Sequence, residues 1–427
     1  MLAGKRWVIA RCAAMTLGMG ITPAIATPFT PLEQLGQQLF FDTSLSHNGT
    51  QSCASCHNPS VSFTDPNKSN PTSQGDNPDL FGKRNAPTAS YAAFSPDFHF
   101  DSTEGLWVGG QFLDGRASTL EDQAKAPFVG VLEMGNANRA EVIDRLKNSP
   151  AANLFVNVYG NTAFDDVDNA YDNLAKAIAA YERTNPLSPF TSKYDAYLKG
   201  LVQLTPHEQR GLDLFTDPTK GNCSACHISD PGPNGEPPLF TDFTYDNIGV
   251  PKNYDSDFLY LPTEFNPDGI DFSDLGLGGT VNDPDLYGAF KVSTLRNIAL
   301  TAPYTHNGYF NSLLDVVDFY TSRDTKPVCP DVHVSADESE KLGCWAKAEF
   351  GDTMNVDELG DLPLTDLDKL DIVAFLNTLT DGFNPDETSA DIPEPASWTI
   401  MAAGFGMVGA AMLLRRRRRN AGRATGE

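Results

Sequence analysis

Cys53-Ala54-Ser55-Cys56-His57 is matched further along the chain by Cys223-Ser224-Ala225-Cys226-His227, the same C-x-x-C-H spacing twice. This spacing is the attachment signature of c-type haem. The two thiols form thioethers with the haem vinyls, and the following His is set to ligate iron. The alternatives are a zinc knuckle or a redox C-x-x-C pair. A zinc site wants further Cys or His close by, and none are there. Two copies in a chain with only seven Cys and seven His make coincidence untenable.

The other three Cys divide by position. Cys12 lies in a leader with Lys5, Arg6 and Arg11, an apolar stretch to Ile25 and the A-x-A-like Ala24-Ile25-Ala26. This reads as a secretory signal over residues 1–26, so the mature chain is expected to begin near Thr27. Cys329 and Cys344 remain, and in an exported protein they are expected to form a disulfide. Export also suits c-type haem, which is attached outside the cytoplasmic membrane. Without residues 1–26 and 397–427 the chain carries a net charge of −33. Such a surface repels nucleic acid and anionic lipid and attracts basic partners, a basic electron donor among them.

Ahead of each haem motif stands a repeated segment, Leu35-Gly36-Gln37-Gln38-Leu39-Phe40 and Arg210-Gly211-Leu212-Asp213-Leu214-Phe215. Each Leu-Phe pair closes an amphipathic helix. Thr205-Pro206-His207-Glu208 marks the start of the second with an N-cap, Pro at N1 and Glu at N3. Helical periodicity also covers 118–125, 139–148, 167–183, 313–320 and 365–379. Strand patterns are few, and the Gly/Pro/Asp/Asn-rich stretches 229–238 and 262–286 read as loops. The expected fold is mainly α: two c-type cytochrome domains, 27–190 and 191–386, each a few short helices around one haem, with long irregular connections. Residues 387–427 form a tail. There Pro393-Glu394-Pro395 precedes an apolar segment, 398–414, and then Arg415 to Arg419. The tail resembles the PEP-CTERM sorting signal, which implies removal at the cell surface; a plain C-terminal anchor is the alternative. Contact with the membrane is expected only through this tail.

Further motifs carry a family resemblance. They are Leu39-Phe40-Phe41-Asp42, Arg84-Asn85-Ala86-Pro87-Thr88, Phe112-Leu113-Asp114-Gly115-Arg116-Ala117, Glu133-Met134-Gly135, and the long run from Thr294-Leu295-Arg296-Asn297 to Thr305-His306-Asn307-Gly308. With them the chain, from about Pro31 to Phe383, resembles the bacterial di-haem cytochrome c peroxidases and their relative MauG. The resemblance implies that the N-terminal haem meets peroxide and the C-terminal haem passes electrons. Glu133 then stands at the family's catalytic Glu, and Gln123 at its distal amide. Cleaving an O–O bond requires moving a proton from the inner to the outer oxygen, which is acid–base work. Read without the family, Glu133 would cap a helix or pair with Arg139.

The same resemblance sets the ligands. His57 and His227 are the proximal ligands of haem one and haem two. Many members also have a His soon after the first motif that closes the other face of haem one. Here no His lies between His57 and His99, which implies an open haem. Tyr320 falls where many members have the second ligand of haem two as Met, and where MauG has Tyr. A phenolate favours ferric and higher states. Asn85, Thr301 and Pro303 match a calcium site between the haems, and oxygen-only ligation suits that ion. Two departures stand out. Leu113 replaces the Trp usual between the haems, with Trp107 six residues away, and Tyr245 replaces a common His.

Three functions fit. One is a peroxidase reducing hydrogen peroxide with electrons from a small exported donor protein. The second is a MauG-like oxidase of residues on a partner protein, favoured by Tyr320 and the missing His, with Leu113 counting against it. The third, a plain electron carrier, has no need of Glu133 and Gln123. Periplasm or cell surface is the expected location.

Overall fold

The computed structural model describes residues 28–385. The leader with Cys12, and the apolar segment 398–414 of the tail, lie outside the described residues. Helix α1 (Pro31–Phe40) starts at Thr30, whose hydroxyl accepts the Glu33 N–H while the Glu33 carboxylate accepts the Thr30 N–H at 2.6 Å. This reciprocal cap satisfies two N–H groups that a helix start leaves free. One turn, α2 (Cys53–Cys56), holds the first haem motif. Then come α3 (Leu120–Val129), α4 (Arg139–Asn148), α5 (Ala152–Tyr159) and α6 (Val167–Glu182). The rest of the chain adds α7 (Lys193–Leu198), α8 (Pro206–Thr216), α9 (Gly276–Val281), α10 (Leu313–Ser322), α11 (Ala336–Leu342) and α12 (Asp366–Asn377). Strands β1 (His99–Asp101) and β2 (Leu106–Val108) form one antiparallel hairpin. Strands β3 (Tyr245–Asp246) and β4 (Phe290–Lys291) form a second antiparallel pair. The fold is mainly helical with few short strands, as the patterning required.

The helix expected over 139–148 has those bounds. The one expected over 118–125 starts later, because Thr119 is its N-cap and accepts the Asp122 N–H at 3.1 Å. Reading 262–286 as loop needs one correction. Gly276–Val281 is a short helix, with Gly278 pressed against the Asp283 carbonyl and the Tyr287 ring. Its three Gly hid it.

The sequence repeat is a packing repeat. Helix α1 crosses α6, and α8 crosses α12. At each crossing the contact residue is the repeat's glycine. A Cβ on Gly36 would run into the Ala177 carbonyl and lie 2.9 Å from Tyr181 Cβ. On Gly211 it would meet the Asp371 carbonyl and lie 2.8 Å from Phe375 Cβ. Glycine weakens a helix interior by roughly 0.5–1 kcal/mol relative to Ala. Here it lets two backbones touch and buries the Leu-Phe pairs on both sides. Leu35, Leu39 and Phe40 pack with Phe63, Ile178 and Tyr181; Leu214 and Phe215 pack with Ile372, Phe375 and Leu376. Behind α10 the Cys329–Cys344 disulfide is formed, buried beside Trp345.

Candidate functional site

Each haem motif is a tight turn closed by its own backbone. The His57 N–H donates to the Cys53 carbonyl (2.8 Å), and the His227 N–H to that of Cys223 (2.9 Å). The imidazoles are oriented alike. Nδ1 lies 3.1 Å from the Phe63 carbonyl in His57, and 2.9 Å from the Phe240 carbonyl in His227. A carbonyl accepts only from Nδ1–H, which leaves the Nε2 lone pair for a metal. Burial lowers both imidazole pKa values and keeps the rings neutral. The four motif thiols are unpaired. These donor sets fit covalently bound haem.

The surroundings of His227 fit it as well. Cys223, Cys226 and His227 line a largely apolar cavity of about 340 Å³, walled by Leu313, Val316, Val317, Ile372 and Leu376. Tyr320 enters the same cavity from α10. Its hydroxyl has no hydrogen-bond partner among the described residues, and burial pushes its pKa up. Met354, the methionine next downstream of Tyr320, packs instead against Gly249.

On the His57 side, α3 and the turn that follows carry both proposed catalytic residues. Gln123 is half-buried in α3. Glu133 lies on a turn stitched by Glu133 N–H to Gly130 O (3.0 Å), Gly135 N–H to Gly130 O (2.9 Å) and Asp76 N–H to Glu133 O (2.7 Å). The Glu133 side chain folds over Gly130, where a Cβ would strike its carboxylate. Glu133 is an exposed residue whose carboxyl is crowded by protein atoms on the Gly130 side. The surrounding protein raises its pKa, against a weaker pull from Arg116. Its charge is felt at the Cys53 and Cys56 sulfurs. Gln123 and Glu133 share no hydrogen bond. Arg139 pairs with Asp168, not with Glu133. The two His residues nearest in sequence are engaged elsewhere: His47 pairs with Glu141 (2.9 Å), and His99 sits exposed on β1 against the Asp97 carbonyl.

Asn85 and Pro303 meet across more than two hundred residues. Asn85 Nδ2 lies 2.6 Å from the Pro303 carbonyl and 3.4 Å from that of Thr305, and the Asn85 N–H donates to the His306 carbonyl. Thr301 lines the same cavity wall.

Residues 30–203 match the di-haem cytochrome c peroxidase family. The chain is 39% identical over 355 residues to the methylamine utilization protein MauG of Paracoccus denitrificans, covering 82% of this chain and 88% of that one. The chain belongs to the di-haem cytochrome c peroxidase family. The cytochrome c551 peroxidase of Pseudomonas aeruginosa is 35% identical over 290 residues, 66% of this chain and 70% of that protein. The crystal structure of the diheme peroxidase BthA from Burkholderia thailandensis superposes with a TM-score of 0.72 at 34% identity, over 84% of this chain and 88% of that one. The protein is therefore a peroxidase-like oxidoreductase with two haem c groups. Residues 391–419 match the PEP-CTERM protein-sorting motif. No helix among the described residues is long and apolar enough to cross a membrane.

Leu113 is buried and lines the cavity. Trp107 does not share that wall; it lies on β2, stacked on Phe98 at 4.8 Å between centroids. Two titratable residues escaped the sequence reading. Glu182 is buried, its Oε2 unpartnered, and burial pushes its pKa up to about 8. Its spacing from Leu174 and Ile178 puts it on the apolar face of α6, a signal legible in hindsight. Lys291 extends into the cavity wall, donates to the Gly110 carbonyl at 2.7 Å, and is lowered by burial to about 8. A Lys inside Phe290-Lys291-Val292 was its only mark.

Proposed function

We propose that this protein is an exported peroxidase of periplasm or cell surface that reduces hydrogen peroxide with electrons from an external redox protein. The haem groups, when bound, supply the iron chemistry. The carrying observation is the Glu133 carboxyl, held by a stitched turn within electrostatic reach of the Cys53–Cys56 turn, with the His47 ring paired to Glu141 and the His99 ring held at the Asp97 carbonyl. Glu133 takes the proton from the inner peroxide oxygen and returns it to the outer one, and the Gln123 amide helps to hold the substrate. One peroxide with two electrons and two protons gives two waters. His57 and His227 would anchor the two irons, and Tyr320 would hold the iron of the His227 cavity together with His227: a phenol in a largely apolar space ionises against a cation, and ferric iron would supply one. We assign the peroxide site to residues 27–190 and the electron-transfer site to 191–386.

The Tyr320 hydroxyl also favours a second reading, oxidation of residues on a partner protein, in line with the identity to MauG. We further propose calcium at Asn85, Thr301 and Pro303. Amide oxygen and nitrogen exchange places by a simple flip. Flipping Asn85 brings its oxygen to the Pro303 carbonyl, an arrangement that a cation stabilises. Steady-state oxidation of a reduced basic c-type cytochrome by peroxide tests the first reading. Background-level turnover, alongside haem spectra that still respond to peroxide, would replace it with the second.

A further inference from the structure

Three features take no part in this function: Leu113 and Tyr245, the two departures noted in the sequence, and the hairpin β1–β2. The structure joins them. Trp107 stacks on Phe98 (4.8 Å, 8° between planes), Phe100 meets Trp107 edge-on at 5.3 Å, and Phe98 meets Tyr245 edge-on at 6.0 Å. The stack presses on the loop that carries Leu113. A Cβ on Gly115 would lie 2.5 Å from Phe98 Cε2 and 2.6 Å from the Tyr245 oxygen, and one on Gly110 would lie 2.9 Å from Phe98 Cβ. Tyr245 donates to the Gly109 carbonyl at 2.5 Å and pairs in the sheet with Lys291. The Lys291 N–H donates to the Leu113 carbonyl at 2.9 Å. Leu113 and Lys291 both line the cavity of His227. The rings thus run from the surface to the back of that wall.

The outer end has the make-up of a weak redox interface. Phe100 is 50% exposed and Leu106 47% exposed. Asp97, Asp101 and Glu104 belong to the same segment, no Lys or Arg occurs from residue 96 to 108, and Arg183 lies within electrostatic reach of Asp97. An apolar centre with an acidic rim complements a basic protein, and such charges mainly raise the encounter rate.

We propose that the β1–β2 hairpin is the docking face for a basic one-electron redox protein, with Trp107 relaying the electron inward past Phe98 and Tyr245. The proposal rests on the peroxide-driven reading above. Each peroxide consumed requires two passages of the relay. In each, Trp107 gives one electron inward and regains one from the docked partner. No bond forms or breaks at Trp107, and the indole keeps its N–H.

Two measurements on the haem-loaded protein test it, with a basic c-type cytochrome as the probe donor. Peroxide added without donor should leave oxidised Trp107 as the leading aromatic product in peptide mass spectrometry. Trp107→Phe, which keeps an aromatic ring in the stack, should lower the ratio of donor turnover to single-turnover peroxide rate by roughly tenfold or more. The pair Asp97→Lys with Glu104→Lys should raise KM for the basic donor and flatten its salt dependence. An unchanged ratio in Trp107→Phe, or oxidation confined to other aromatic residues, would overturn the relay. An unchanged KM in the charge-reversed pair would overturn the docking face. Wild-type protein whose haem spectrum ignores peroxide would instead bring down the reading on which both rest.

Discussion

Replacing Glu133 by Gln keeps the size and the fold over Gly130, and removes only the titrating group. The protein atoms around the Glu133 carboxyl raise its pKa from the ordinary carboxylate value, so it holds its proton more tightly than a free Glu does. Losing such a group slows a reaction by roughly 10²–10⁴-fold. That corresponds to about 2.7–5.5 kcal/mol of transition-state stabilisation. Stopped-flow mixing of oxidised protein with peroxide, read at the haem absorption, measures it. The wild-type rate should rise with pH through the raised pKa and then level off, because the carboxylate is the form that accepts the first proton. Glu133→Gln should be slow and flat over that range. Stability gives the control. The folded state holds the Glu133 proton more tightly than the unfolded chain does. The group's contribution to stability is therefore fullest at low pH and declines as pH rises towards the raised pKa. Glu133→Gln should then be no less stable than wild type at neutral pH. A variant with wild-type peroxide kinetics, or one that keeps the wild-type pH slope, would refute the acid–base role and transfer it to Gln123 or solvent.

Three further outcomes are expected. Tyr320→Phe should abolish the low-spin signature of the His227 haem, and Tyr320→Met should raise its reduction potential; spectra of Tyr320→Phe that match wild type would remove Tyr320 from the iron. Breaking the Cys329–Cys344 bridge with Cys329→Ser and Cys344→Ser, which opens a loop with a sequence separation of 15, should cost about 3 kcal/mol in denaturant unfolding by the chain-entropy estimate. Gly36→Ala and Gly211→Ala should each destabilise by about 1–3 kcal/mol, the usual range for overpacking, because the added methyl meets a backbone carbonyl that has no rotamer to yield; thermal midpoints equal to wild type would show that the helix crossings relax freely.

Much of this protein is written in local sequence. Cys53, Cys56 and His57, with Cys223, Cys226 and His227, announce covalent haem by spacing alone, because bond lengths allow few other spacings to serve both vinyls and iron. Thr30 and Thr205, each with Pro next and Glu three residues on, mark their helices because capping is a matter of neighbours. The pairing of Cys329 with Cys344 followed from counting. What the sequence left open depends on distance through space. Gly36 and Gly211 were visible as a repeat, but only the crossing of α1 with α6 and of α8 with α12 explains why a methyl is excluded. Glu182 and Lys291 look like ordinary charged residues until packing takes them out of water and moves both to about 8. Whether Trp107 stood in for the missing Trp at Leu113 was decided by tertiary structure. The hairpin carries it away from the cavity wall and onto Phe98, because ring stacking joins residues that share a surface, whatever their separation along the chain.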